Sequence, residues 1–141
     1  MATRCAIGFI NDENKIIAKY SHYDGYPEYT GAMLNEFYSD DNRVKEMVML
    51  GDQSVLMKEY IPTSDDHSFE TPEKDVTVFY GRDRGETRVE PRGPFNDILE
   101  FVEHYLSAGC EYFYLWDGNE WLCQDRNNTR WECANPRKVA A

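Results

Sequence analysis

A chain of 141 residues has room for one hydrophobic core and is short for two. Its ten Tyr, seven Phe and three Trp exclude a disordered polymer despite a mean hydropathy of -0.72. Fifteen Lys and Arg stand against 26 Asp and Glu, a net charge of -11, and a surface of that sign repels nucleic-acid backbones and anionic membranes. Direct nucleic-acid binding is therefore not expected; the charge suits plain solubility, docking on a basic partner, or imitation of a nucleic acid.

Arg4 to Ile10 and Lys15 to Tyr20 are two β-rich runs around the polar loop Asn11–Asn14, which predicts a hairpin burying Ile7, Phe9, Ile16 and Ala18 on one face. Pro27 suits the first turn of a helix, and Met33, Leu34, Phe37 and Tyr38 continue at helical spacing. A second helix follows the acidic cap Ser39–Asp41, turns Val44, Met47 and Val48 inward and stops at Gly51. Residues 52–75 read as loop, with room for a short helix over Ser54–Tyr60, and Val76–Tyr80 reads as a buried strand.

The strongest helical pattern runs from Phe95 to Leu106, with Phe95, Ile98, Leu99, Val102 and Leu106 as its apolar stripe and Gly109 as its stop. Tyr112–Trp116 and Glu120–Cys123 flank the turn Asp117–Asn119 and predict a second hairpin. The expected order is ββααβαββ. It describes a single α+β domain over 1–125, with a small antiparallel or mixed sheet, helices packed on one face and an irregular tail over 126–141 held by Trp131.

Met1–Arg4 lead into no secretory segment, and no apolar run approaches the ~20 residues of a membrane span. Free, mostly buried cysteines in a reducing cytoplasm follow for Cys5, Cys110, Cys123 and Cys133, and the sequon Asn127–Thr129 has no meaning there. Cys110, Cys123, Cys133 and His104 lack the close pairs of a zinc knuckle, so no metal and no cofactor is expected.

Two turns carry the candidate chemistry. The first, residues 22–31, is too polar for a core strand and too rigid for a linker: Gly25 admits unusual backbone angles and Pro27 fixes its own φ. It displays His22, Tyr23, Asp24, Tyr26, Glu28 and Tyr29, a set suited to stacking and hydrogen-bond acceptance at an interface. The second is Tyr80-Gly81-Arg82-Asp83-Arg84-Gly85-Glu86. Residues 82–92 hold four of the fifteen basic side chains and carry a net charge of +1 inside an acidic chain.

Arginines between glycines suit an anion clamp, or a turn whose Arg82 and Arg84 pair internally with Asp83 and Glu86. His67, in the long loop, joins His22 as a candidate for proton transfer or, with Asp24, for a small metal set. No H-x-x-x-H, nucleophile elbow or phosphate loop accompanies them, so an enzyme is the less favoured class. The site set is therefore His22, Tyr23, Asp24, Tyr26, Glu28, Tyr29, His67, Tyr80, Arg82, Arg84 and Glu86, with no catalytic residue among them.

The words His22–Glu28, Leu50–Ser54, His67–Phe69 and Tyr80–Glu86, in that order and followed by Tyr114–Gly118, resemble a family of small uncharacterised proteins encoded by tailed bacteriophages. The resemblance covers residues 4–121. It implies an accessory product in the cytoplasm of the infected bacterium that binds and modulates or inhibits a host or defence protein. The alternative it leaves open is a site that sequesters or hydrolyses a phosphate-bearing nucleotide or holds another anionic ligand.

Overall fold

The computed structural model describes residues 2–127, together with backbone strands at 130–132 and 135–139. β1 (Cys5–Ile10) and β2 (Ile16–Ser21) pair antiparallel as the predicted hairpin. Asn11 closes its loop by accepting the Glu13 and Lys15 backbone N–H groups on its side-chain oxygen. A single π-helical turn at Pro27–Gly31 then runs into α1 (Ala32–Phe37) and α2 (Asp41–Met49). The Asp40 carboxylate caps α2 by accepting from Arg43 N at 3.0 Å, and Gly51, at φ +84, ends the following turn.

β3 (Arg92–Phe95) precedes α3 (Ile98–Ser107), and the chain closes with β4 (Tyr112–Trp116), β5 (Trp121–Asp125), β6 (Arg130–Glu132) and β7 (Asn135–Val139). The strands form one mixed sheet in the order β3-β2-β1-β4-β5-β6-β7, with β1 and β4 parallel and the other pairs antiparallel. The class is α+β. No described helix is long and apolar enough to cross a membrane.

Four expectations change. Helices cover both faces of the sheet: α1 and α2 pack with Cys5, Ile7, Phe9, Tyr114 and Trp116, whereas α3 packs with Ala6, Ile16, Ala18, Phe113 and Leu115. The hairpin register explains the split, because Ile7 faces Lys19 and Phe9 faces Ile17, while Ile16 and Ala18 lie opposite Ile10 and Gly8 on the other face. α3 begins at Ile98 with Asp97 as its cap, and it buries Phe101, Val102 and Tyr105. Phe95 belongs to β3 and packs against Phe101 and Tyr105, so the helix rolls toward it and leaves Leu99 65% exposed.

The third change concerns Val76–Tyr80, which is not a strand of the sheet. It makes isolated bridges to residues 53–59, with Thr77 and Phe79 turned inward, and no helix forms over Ser54–Tyr60. Lastly, the tail expected to be irregular from 126 carries β6 and β7; the side chain of Trp131, the residues Asn128 and Thr129 of the sequon, and Cys133 lie outside the described residues.

Lys19 is the unusual member of the inner face. It is fully buried, its ammonium nitrogen donating to Met47 O at 2.8 Å and to Gln53 Oε1, and lying 4.6 Å from the centre of the Phe79 ring. Burial holds its pKa well below the usual lysine range against the pull of Asp52.

The segment after α2 approaches residue 89 closely. A Cβ at Gly51 would lie 2.3 Å from Val89 O, in a backbone conformation that L residues resist. Gly51→Ala is expected to cost at least about 2 kcal/mol in urea denaturation, combining left-handed backbone strain with displacement of residue 89. A loss below about 0.5 kcal/mol, the range of neutral surface changes, would contradict this approach.

Candidate functional site

The end of β2 delivers the first turn to the surface. His22 N donates to Gln53 O and Ser54 O, and Tyr23 N donates to Ser54 O at 2.8 Å, so both residues are pinned on the segment that follows α2. The positive φ falls on Asp24, not on Gly25, whose role is close approach: a Cβ there would sit 2.7 Å from Cys5 Cβ. Gly25 N donates to Thr3 O, Tyr114 Oη donates to Gly25 O, and Thr30 Oγ1 donates to Asp24 O, which fixes the turn from three sides.

Its tyrosines divide by role. Tyr29 Oη donates to Leu56 O at 2.8 Å and anchors the π turn. Tyr26 Oη reaches Asp24 Oδ1 at 3.4 Å, and Glu28 is exposed. Tyr23 is 47% exposed, with its ring edge-on to His22 at 4.4 Å.

The two arginines of the second turn also diverge. Arg82 points inward, donating to Tyr60 O at 2.6 Å, to Thr77 O at 3.3 Å and to both oxygens of Asp83, with its guanidinium over Phe79. Asp83 further accepts from Phe79 N at 2.8 Å and from His67 Nε2 at 3.2 Å. His67 Nδ1 accepts from Glu73 N at 2.9 Å, which places the ring proton on Nε2. With side chains 1% and 5% exposed, His67 and Asp83 form a buried latch holding the 61–73 loop to the arginine turn. Both His67 nitrogens are engaged, so the ring acts as a structural strut. Burial alone would raise the Asp83 pKa, but Arg82, the Phe79 N–H and His67 outweigh it and hold the carboxyl below its ordinary value.

Arg84 points outward. Its guanidinium stacks 4.4 Å from the Phe69 ring centre and 5.8 Å from that of Tyr80, with Glu86 at 3.5 Å as an exposed ion-pair partner. Tyr80 is half-buried; burial and the nearby Tyr23 hydroxyl both raise its pKa. The fold thus gathers Tyr23, Tyr80, Arg84 and Glu86 beside Phe69, and commits His67, Arg82 and Tyr29 to internal structure.

A groove of about 420 Å³ opens beside this cluster, walled by Val55, Met57, Phe69, Val76 and Val78, with Glu73, Lys74 and Asp75 also lining it. Of the site set it contains none, although Tyr29 touches Met57 Sδ at 3.4 Å. Among the described residues no group of three His, Cys, Asp or Glu is placed to hold a metal ion, and Cys5, Cys110 and Cys123 are free and buried.

Sequence reasoning missed Phe69 as a surface residue, though a lone aromatic in the polar run 63–71 was a usable signal. It also passed over Tyr20, whose Oη lies 2.6 Å from His22 Nδ1, and Arg4, which the β1–β2 register sets level with His22; nothing local in the sequence marks either. Comparison with known protein families, with curated proteins and with solved structures finds no match to this chain.

Asp83→Asn is expected to cost about 3 kcal/mol, as removal of one partner from a buried charged network does, and to speed proteolysis of the 61–73 loop. Arg84→Ala should stay within about 0.5 kcal/mol of wild type. Because the folded Asp83 carboxyl titrates below its ordinary 3.8, its contribution is complete above that value and is lost as pH falls through the folded one. The gap between wild type and Asp83→Asn in denaturation should therefore close in acid; a gap that persists unchanged would contradict the latch.

Proposed function

We propose that this chain is a non-enzymatic binding protein, a phage accessory product that binds and modulates or inhibits a host or defence protein in the infected bacterial cytoplasm. The observation that carries the reading is the Arg84 guanidinium stacked on exposed Phe69, beside Tyr80 and Tyr23. Aromatic and arginine side chains dominate the energetics of protein interfaces, and here they stand on a surface pinned by backbone hydrogen bonds, so little ordering entropy opposes binding. The adjacent groove is of a size to take an apolar side chain of the partner. The phage setting rests on the resemblance of the four sequence words.

The second reading, capture or hydrolysis of a phosphate-bearing nucleotide, draws support from the groove volume, which falls within the range of small-molecule sites. Against it, Glu73 and Asp75 outnumber Lys74 on the lining, and His67 has no free ring nitrogen for proton transfer.

Affinity capture of the tagged full chain from host and infected lysates tests the reading. One stoichiometric partner is expected, with Tyr23→Ala and Arg84→Ala each weakening it about tenfold, near 1.4 kcal/mol, while Glu100→Gln on α3 leaves it unchanged. Equal capture by all three variants would remove the site assignment. A nucleotide that raised stability by about 2.7 kcal/mol at 100 times its Kd would favour the second reading instead.

A further inference from the structure

Arg4 stands out among the basic residues of this acidic chain. Its backbone is fixed ahead of β1, where Arg4 O accepts from Glu111 N at 2.8 Å, and its guanidinium lies so close to Gly109 that a Cβ there would come within 2.6 Å of Nη1. Nε is buried with no hydrogen-bond partner, and among the described residues no carboxylate stands within ion-pair distance of the side chain. Asp52 and Glu111, the acids near the adjoining Cys110, are turned to Arg92 at 3.7 Å and Arg126 at 3.8 Å. A guanidinium with an unpaired Nε–H and no neighbouring carboxylate keeps its donors free for a ligand's anion.

The neighbours of Arg4 complete a donor set. The β1–β2 register sets Cys5 opposite Ser21, so Arg4, one residue earlier, is level with His22, one residue later, and Tyr20 Oη lies 2.6 Å from His22 Nδ1. Burial pushes the Tyr20 phenol up to about 12, so it keeps a proton that it can donate to Nδ1. Burial and then Arg4 lower the His22 pKa and favour the neutral imidazole, whose single proton sits on Nε2 when Tyr20 donates to Nδ1. Tyr23, edge-on to the same ring, leads from here to Tyr80 and Arg84.

We propose that Arg4 and the Nε2–H of His22 form a cradle for an oxyanion, a carboxylate or phosphate group presented by the protein partner, with Tyr20 positioning the imidazole. The proposal rests on the binding-protein reading for the source of the anion, and on the donor set alone for its chemistry. A planar guanidinium with a second fixed N–H donor matches the two oxygens of such a group, and no bond is made or broken.

Nitrogen-15 NMR of the full chain, titrated with inorganic phosphate and with acetate, tests it. Saturable shifts of the His22 Nε2–H and Arg4 Nε–H signals are expected, with at least tenfold weaker binding in Arg4→Gln. Tyr20→Phe, which leaves Arg4 in place, should mix the His22 tautomers and weaken binding severalfold. A response to phosphate alone assigns a phosphorylated side chain; a response to acetate, with or without phosphate, assigns an acidic side chain or chain end.

No saturable shift with either anion, or wild-type binding by Arg4→Gln, overturns the cradle. Partner capture separates the two claims. Undiminished capture by Arg4→Gln overturns the cradle and leaves the binding-protein reading standing. Anion binding by a wild-type chain that captures no partner overturns the partner as the source and leaves the cradle standing.

Discussion

The buried contact between Lys19 and Gln53 fixes the irregular segments on which both exposed turns depend. Lys19 reaches from β2 to the end of α2 at Met47 O, to the Gln53 side chain, and across the Phe79 ring. Gln53 returns the tie through its own groups: its N–H donates to Tyr20 O, its carbonyl accepts from His22 N, and its Nε2 donates to Ser21 Oγ. Burying an amine and an amide costs several kcal/mol if they go unpaired, and the pairing here is complete enough to offset it. The geometry is correspondingly specific. Loop segments 51–55 and 76–80 have one place to sit, and both exposed turns hang from them.

Those turns owe their chemistry to a division of labour between similar residues. Arg82 and Arg84 are two positions apart, yet one is consumed by Asp83 and carbonyl oxygens while the other lies open on Phe69. Without Asp83 drawing Arg82, Phe79 N and His67 together, the 61–73 loop would lose its attachment and Arg84 its platform. The acidic surface matters in the same way. Against a net charge of -11, the few cations not neutralised by neighbouring acids are the places where a partner's anionic group gains most.

Much of the fold was readable because local rules agree with the tertiary result. α2 is specified by the Asp40 cap, by Val44, Met47 and Val48 at helical spacing, and by Gly51 after its end. The β4–β5 hairpin follows from Gly118 and from Asp117, whose carboxylate takes the N–H groups of Asn119 and Glu120. What failed depended on distant pairing. A fully buried lysine contradicts the pattern by which strand faces are assigned, so the hairpin faces were misjudged. Phe95 reads equally well as helix or strand, and its capture by β3 rotated the stripe of α3. At the site, the first turn is local and was legible in outline. The burial of His67 arises from Asp83, sixteen residues on, and Arg4 comes level with His22 only through the β1–β2 register.

The surface proposed for binding is preformed, held by Lys19 and Gln53 before any partner arrives. Amide hydrogen exchange on the free protein tests it most directly, read at Gln53, Ser54, Thr77 and Tyr80, whose N–H groups donate to Tyr20, Val78, Glu59 and Asp52. Protection approaching that of the β1 and β4 amides is expected. Exchange as fast as in the exposed Asn11–Asn14 turn would contradict it, and would mean that the surface is assembled only on binding.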